Sequence, residues 1–191
     1  MPGRTPRAAV EAFSTPLRES LACILPPTVQ LRAHGARLGE SCLLALLGQR
    51  DPVRLPGPLK IGLFITHEYE VIEVGSGDER YRVHSRGYHY ELSAEDGRTL
   101  VCYDWHPDGQ VGDPVRWPHV HLRSYTAPIN LSHGHWPSGR VSLESVIRVA
   151  IRDLQVPPLR EDWEALLDKH EQAFADNASW GGPRPRSAAA P

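Results

Sequence analysis

Cysteine and lysine are scarce in this chain, and the cysteines exclude two classes of small protein. The three cysteines, Cys23, Cys42 and Cys102, are odd in number, and no two of them form a Cys-x-x-Cys pair. Neither a disulfide framework nor a zinc finger is therefore indicated, and a reduced, cytoplasmic setting fits best. Only Lys60 and Lys169 are lysines, against 19 arginines, a bias more typical of a GC-rich genome than of a function.

Long apolar runs are also absent. No stretch approaches the roughly 18 to 20 apolar residues of a membrane span, and the N-terminus lacks an apolar run of signal-peptide length. We therefore expect no membrane partner and no export. The formal net charge of -2 argues against strong non-specific binding of nucleic acid through charge alone, although it leaves room for a local basic patch.

The common nucleotide-binding and acyl-transfer motifs are missing as well. The sequence contains no Walker loop, no Rossmann fingerprint and no Gly-x-Ser-x-Gly elbow. We therefore expect no nucleotide cofactor. The length of 191 residues suits one domain with a sizeable core.

The order of predicted elements indicates an α+β fold, with an antiparallel meander of four to five strands, C-terminal helices packed on one face, and an N-terminal helix. Residues 28–50 stay undetermined between strand and helix, because periodicity does not separate short apolar runs. The predicted layout is a disordered N-terminus at 1–5, a single domain at 6–176 made of a helical extension (6–50), an antiparallel sheet (59–123) and two helices (142–175), and a disordered tail at 177–191.

Turn residues divide the predicted sheet into strands. Gly75-Ser76-Gly77-Asp78 should fold one long strand back onto the next, and Asp96-Gly97 should form the following turn. Gly87 breaks the alternation of apolar residues within the second strand. A β-bulge is therefore expected near Gly87.

The segment from Trp117 to His135 contains two His-x-His pairs, His119/His121 and His133/His135. If His119 begins a strand, alternation places the first two imidazoles on one face, about 6 to 7 Å apart at Cα. At that spacing they could bind one metal ion or act together as acid and base. The second pair could add a ligand and leave a position for water, as in hydrolytic zinc sites. The sequence does not fix the cofactor; a divalent metal such as zinc is the candidate, and a structural role for the histidines stays open.

A carboxylate is the usual partner of such imidazoles, because it fixes the tautomer and raises the basicity of the ring. Asp104 lies one strand earlier and shares its face with Leu100 and Cys102. A charge in that position would be buried and would need a partner. Asp104 is therefore preferred as the orienting acid over the two other candidates, Glu68 and Glu70.

Aromatic and basic residues supply candidates for substrate binding. Tyr88, His89 and Tyr90, with Arg86 just before them and Trp105 opposite, could form a surface on which an unpaired base stacks. The alternative is ordinary packing within a strand. Arg140 precedes the predicted N-cap Ser142, where a helix N-terminus and a guanidinium could hold a phosphate together. A plain loop-to-helix connection explains Arg140 equally well.

Several motifs between about Tyr81 and Phe174 occur together in a recognisable order: Tyr88-His89-Tyr90, Asp96-Gly97, Tyr103-Asp104, Pro118-His119-Val120-His121 and the segment from Pro137 to Glu144. On these motifs the chain resembles small bacterial proteins that we associate with the TumE-like toxin family. The resemblance implies a cytoplasmic toxin–antitoxin component that acts on RNA and has an antitoxin-like protein partner. Two departures from the family pattern are a long N-terminal extension and a Trp-His-Pro-Asp-Gly stretch where an Asn-containing segment is expected after Asp104.

Three functional hypotheses follow. The favoured one is a nuclease-like enzyme in which His119 and His121 act as general base and acid at an RNA phosphodiester. In it, Asp104 orients one imidazole, and Arg140 or Arg86 holds the phosphate. The second is a zinc-dependent hydrolase that uses both His-x-His pairs. The third is a non-catalytic protein that binds a partner through its N-terminal helix.

Overall fold

The structure is a computed structural model that describes residues 2–46, 51–109, 115–122 and 134–177. Within these ranges the chain forms three α-helices and nine β-strands, which confirms the α+β class. The helices are α1 (Pro6–Leu21), α2 (Leu143–Arg152) and α3 (Trp163–Asn177), and a 3-10 turn spans Gly77–Glu79. The strands are β1 (Pro2–Gly3), β2 (Leu31–His34), β3 (Ser41–Leu46), β4 (Val53–Arg54), β5 (Gly62–Glu73), β6 (Tyr81–Ser93), β7 (Thr99–Trp105), β8 (His119–Leu122) and β9 (Trp136–Pro137).

All nine strands belong to one antiparallel sheet in the order β2-β3-β5-β6-β7-β8-β9, with β1 paired to β6 and β4 paired to β5. The predicted meander corresponds to β5 through β8. The predicted number of four to five strands is too low. The strands that were not anticipated as part of the sheet are either two residues long, as in β1, β4 and β9, or lie in the undetermined segment 28–50.

The N-terminal segment is more ordered than predicted. Pro2–Gly3 pairs with β6, and Arg4 forms an ion pair with Asp78 at 2.6 Å. The side chain of Thr5 accepts a hydrogen bond from the amide of Ala8 at 3.1 Å and so caps α1. The prediction of disorder at 1–5 is therefore wrong for residues 2–5, because sheet pairing and helix capping hold them.

The predicted helical extension over 6–50 is correct only for its first part. Helix α1 ends at Leu21, and β2 and β3 follow it as an antiparallel pair. Strand β3 buries Cys42, Leu44 and Leu46 while the residues between them are more exposed, which is the alternation of a half-buried strand. Residues 47–50 lie outside the described residues, and so does the predicted disordered tail at 177–191 except for Asn177, which is the last residue of α3.

The predicted bulge in β6 is confirmed. Glu68 pairs with Gly87 and the next residue, Tyr69, pairs with Ser85, so Arg86 is the extra residue. A Cβ atom on Gly87 would lie 2.8 Å from the carbonyl oxygen of Trp105 on β7. The close approach of β7 to the bulge therefore requires glycine at this position.

The helices pack on one face of the sheet, as predicted. The ring of Phe13 on α1 contacts that of His67 on β5, with centroids 5.3 Å apart. The amide of Val141, just before α2, donates a hydrogen bond to the Tyr88 hydroxyl at 3.0 Å. We call this side the helix-covered face; its central residues are Leu63, Ile65, His67, Tyr88, Tyr90 and Trp105.

The two C-terminal helices confirm the prediction for 142–175. Ser142 caps α2 by accepting a hydrogen bond from the amide of Ser145 at 3.1 Å. Val146, Ile147 and Ala150 are buried on the stripe that the sequence periodicity indicates. Among the described residues, no helix combines the length and apolar character needed to cross a membrane.

Candidate metal centre

The opposite face of the sheet, which we call the histidine face, is organised by the register of four strands. Residues paired across antiparallel strands project to the same side, and so do residues two apart on one strand. Because His119 pairs with Pro137 and Val120 with Trp136, His135, the residue just before β9, comes opposite His121. The two resulting rows run His89, Asp104, His119, Pro137 and Glu91, Cys102, His121, His135.

Three imidazoles converge at the β8 and β9 end of this face. The ring centroids are 4.8 Å apart for His119 and His121, 5.0 Å for His119 and His135, and 4.7 Å for His121 and His135. One ring nitrogen from each lies within 4.8 Å of the other two. His119 is fully buried, His121 is partly buried and His135 is exposed, so the cluster has one closed side and one side open to solvent.

The position of the proton on His119 follows from its neighbour. Nδ1 of His119 lies 2.9 Å from the carbonyl oxygen of Trp117. A carbonyl oxygen only accepts hydrogen bonds, so Nδ1 carries the hydrogen, and in the neutral ring Nε2 carries the lone pair. His119 is thereby held in the tautomer that coordinates through Nε2.

Asp104 is the acidic centre of the histidine face. Its Oδ1 lies 2.7 Å from Nδ1 of His89 and 3.3 Å from Nε2 of His106, and its Oδ2 lies 3.4 Å from Nε2 of His121. Burial alone would raise the pKa of Asp104, but hydrogen bonds from His106 and His89 outweigh it and hold that pKa well below its ordinary range. The sequence prediction that a buried Asp104 would require partners is therefore correct, and His121 is one of them.

A second group of possible ligands lies beside the three histidines. Cys102 donates from its thiol to Oδ2 of Asp104 at 3.1 Å, and its Sγ lies 3.4 Å from Nδ1 of His89. Burial raises the pKa of Cys102 to about 12, and hydrogen bonds to Asp104 and Cys102 raise the pKa of His89 against the effect of its burial. Sequence reasoning did not assign His89, His106 or Cys102 to the site, because only the register between strands brings them to Asp104.

The predicted stacking surface is not formed. Tyr88 and Tyr90 are each 2% exposed, and their rings stack on each other with centroids 4.8 Å apart, inside the core. They alternate with His89, so they project to the helix-covered face while His89 projects to the histidine face. Their burial contradicts a role in stacking on a substrate base and supports the alternative of strand packing.

Arg86 is likewise not placed to hold a substrate phosphate. It is 6% exposed, its Nη2 lies 3.0 Å from Asp108, and its Nε lies 4.0 Å from Glu70. A phosphate would have to displace carboxylates that already neutralise this guanidinium. Arg86, the extra residue of the bulge, therefore forms an ion pair within the protein.

Arg140 and the N-terminus of α2 do not form the predicted phosphate site either. The carboxylate of Glu171 from α3 occupies that helix end, accepting hydrogen bonds from Ser142 Oγ at 2.5 Å and Ser145 Oγ at 2.7 Å. Arg140 lies with its guanidinium 4.4 Å from the ring centroid of Trp105, on the helix-covered face. The Glu171 carboxylate thus occupies the N-terminus of α2, which contradicts the predicted phosphate site. Arg140 stacks on Trp105, away from the histidines.

Of the four predicted metal ligands, the described structure brings three together. His133 lies outside the described residues, so the prediction for it stays a prediction. Comparison of the chain with models of known protein families, with curated proteins and with solved structures finds no match. The resemblance to TumE-like proteins accordingly also stays a prediction.

Proposed function

We propose that this protein is a zinc-dependent hydrolase whose metal ion is held by His119, His121 and His135. The observation that carries the proposal is the convergence of three imidazoles, two from β8 and one from the residue before β9, with one ring nitrogen of each within 4.8 Å of the others. Three protein ligands and one open position are the ligand set of hydrolytic zinc sites. When bound in such a site, zinc acts as a Lewis acid and makes water nucleophilic near neutral pH.

The protein groups around the histidines have separate roles in this proposal. Trp117 fixes the tautomer of His119 through its carbonyl oxygen, and Asp104 faces Nε2 of His121, so that Nδ1 of His121 is the nitrogen offered to the metal. Such carboxylate or carbonyl partners orient ligand imidazoles and raise their basicity. The exposed side chain of His135 lies at the solvent side, where a substrate would approach.

Burial favours this assignment over metal-free acid–base catalysis by His119 and His121. A general base must come within hydrogen-bond reach of the proton that it removes, and His119 is 0% exposed. A buried imidazole is well suited to be a ligand. The metal-free nuclease nevertheless stays the second candidate, because Asp104 lies 3.4 Å from His121, as an orienting acid would.

The proposed substrate and setting come from the resemblance to TumE-like proteins. We take the substrate to be an RNA phosphodiester, the setting to be the cytoplasm, and the partner to be an antitoxin-like protein. Helix α1 is a poor candidate for the partner surface, because Val10, Phe13, Leu17 and Leu21 are buried within the molecule. The polar residues of α1 are what a partner would meet.

Zinc content tests the proposal directly. Elemental analysis of purified, desalted protein should show zinc in the wild type and one equivalent less in His135→Ala and in His121→Ala. His34→Ala is the matched control, since His34 is an exposed strand histidine on β2. Zinc content that is the same in all four proteins would overturn the proposal. Cleavage of RNA that survives chelation but is lost in His121→Ala would favour the metal-free nuclease.

A further inference from the structure

We infer that the histidine face holds a second zinc position, formed by Nδ1 of His89, Sγ of Cys102 and a carboxylate oxygen of Asp104. One donor atom from each residue lies within 4.8 Å of the other two. Nδ1 of His89 is 2.7 Å from Oδ1 of Asp104, and Sγ of Cys102 is 3.1 Å from Oδ2 of Asp104 and 3.4 Å from Nδ1 of His89. Around a tetrahedral zinc ion, bond lengths of about 2.0 to 2.3 Å place such donors about 3.3 to 3.7 Å apart. Small side-chain shifts would therefore open the site.

The chemical types of the three donor atoms determine which metal ion suits this position. One imidazole nitrogen, one thiolate sulfur and one carboxylate oxygen form a mixed set in which the soft sulfur disfavours magnesium and calcium and favours zinc. Nε2 of His106 lies 3.3 Å from Oδ1 of Asp104 and is the neighbouring group from which a fourth ligand would come. Zinc is accordingly the ion that we assign to this position.

The scaffold holds these donors on regular strands. His89 and Asp104 are register partners on β6 and β7, and Cys102 is two residues from Asp104 on the same face. Cys102 is 4% exposed and Asp104 is 6% exposed, so packing limits how far their backbone and side chains move. Sites built on strands hold ligand geometry more tightly than sites built on loops.

Zinc binding at this position conserves the net charge of the site. Nδ1 of His89 faces Asp104 and Nε2 lies 3.5 Å from Glu91, so both ring nitrogens face carboxylates, as in an imidazolium. Binding of one zinc ion displaces the proton on Nδ1 of His89 and the proton of the Cys102 thiol. Two positive charges leave as the ion brings two, and the buried charge is unchanged.

This second position uses none of the three histidines of the proposed hydrolytic centre and does not depend on that function. The two zinc positions have one contact between their ligands, where Asp104 lies 3.4 Å from His121. Loss of one ion should therefore leave the other bound, with an altered affinity.

The stoichiometry of metal binding tests the inference on the full-length chain. After chelation and dialysis, titration with zinc should give two equivalents for the wild type, and one each for Cys102→Ser and His135→Ala. Serine keeps the size and hydrogen bonding of the Cys102 side chain but removes the thiolate. Cys42→Ser, another buried cysteine on the sheet, is the control and should keep two equivalents. Circular dichroism confirms that each variant is folded.

Cobalt substitution gives an independent spectroscopic readout. Thiolate-to-cobalt charge-transfer absorption in the near ultraviolet should appear in the wild type, in Cys42→Ser and in His135→Ala, and should be absent from Cys102→Ser. A wild type that binds one equivalent without this absorption overturns the second position and leaves the hydrolytic proposal intact. Retention of this absorption together with unchanged stoichiometry in His135→Ala overturns the hydrolytic proposal alone.

Discussion

His121 on β8 and His135 just before β9 lie side by side, with ring centroids 4.7 Å apart and ring planes inclined by 69°. Their proximity follows from the pairing of β8 with β9, which sets Val120 opposite Trp136 and so brings the next residues of each strand together. His135, from a separate segment, thus adds the third imidazole that the His119/His121 pair lacks. Several measurable consequences depend on this arrangement and on the packing beneath it.

Asp104→Asn should weaken zinc binding by the three histidines. The amide loses the negative charge that orients His121, and loss of such a partner typically lowers metal affinity about 10- to 100-fold. Competition with a chromophoric chelator, in a Cys102→Ser background that isolates this centre, measures the change. Asp78→Asn, which removes an exposed carboxylate paired with Arg4, should leave the affinity as it was. Equal affinities in the Asp104 and Asp78 variants would remove Asp104 from the centre.

His67 should make stability fall in mild acid. Burial lowers the pKa of His67 from 6.5 to about 4, so the neutral ring favours the folded state. This stabilisation is complete above pH 6.5 and is lost as the pH falls through 4, for a total of about 3 kcal/mol. Urea unfolding across this range measures it in the wild type and in His67→Gln.

The comparison between the two proteins identifies the group responsible. Gln cannot titrate but retains hydrogen-bonding capacity toward Tyr90 and Ser85, which lie 2.6 and 2.9 Å from the ring nitrogens of His67. The difference in unfolding free energy between wild type and His67→Gln should therefore shrink towards acid pH. Exposed His34→Gln serves as the control and should track the wild type. Parallel curves for wild type and His67→Gln would assign the acid sensitivity to other groups.

Gly87→Ala should destabilise the sheet where β7 crosses the bulge. The added methyl group would lie 2.8 Å from the carbonyl oxygen of Trp105, so backbone must move to admit it. Such overpacking costs about 1 to 3 kcal/mol, which a thermal or urea melt resolves. Gly139→Ala, where no atom lies within 4 Å of the new Cβ, is the control. Equal melting points for both variants would show that the bulge yields without strain.

Ser20 should couple helices α1, α2 and α3 through a buried polar chain. Its hydroxyl lies 2.9 Å from Glu144 and 3.0 Å from Nδ1 of His170, and Nε2 of His170 lies 3.0 Å from Glu19. Ser20→Ala leaves buried polar groups without this partner, a loss of about 1 to 3 kcal/mol in unfolding free energy. In a Glu144→Leu background the same substitution should cost less. Equal costs in both backgrounds would contradict the coupling.

Local chemistry made part of the fold predictable. Ser142 and the apolar stripe of α2 were sufficient to predict that helix, because capping and a 3.6-residue period are properties of the segment alone. Gly87 marked the bulge for a similar reason, since a phase break in an alternating strand is visible without its neighbours. The strands β1, β4 and β9 were not predicted, because a strand of two residues has no period and exists only through its partner.

The candidate site also has one part that the sequence predicted and one part that it did not. Alternation within β8 was sufficient to place His119 and His121 on one face, and the need of a buried carboxylate for partners was sufficient to single out Asp104. Its other neighbours, His89 and Cys102, could not be identified, because their position depends on the register between strands. The helix-covered face was equally hidden: burial of Tyr88 and Tyr90 depends on which side of the sheet the helices occupy.

The sequence by itself determined the helices, the central strands and the pairing of two imidazoles on one strand face, since each of these arises from residues within a few positions of one another. Tertiary structure alone decided that His135 joins them, that Cys102 and His89 surround Asp104, and that Glu171 fills the N-terminus of α2. The physical reason is that cross-strand register and helix docking are set by the burial of the whole apolar surface, a quantity to which every element contributes and which no single segment encodes.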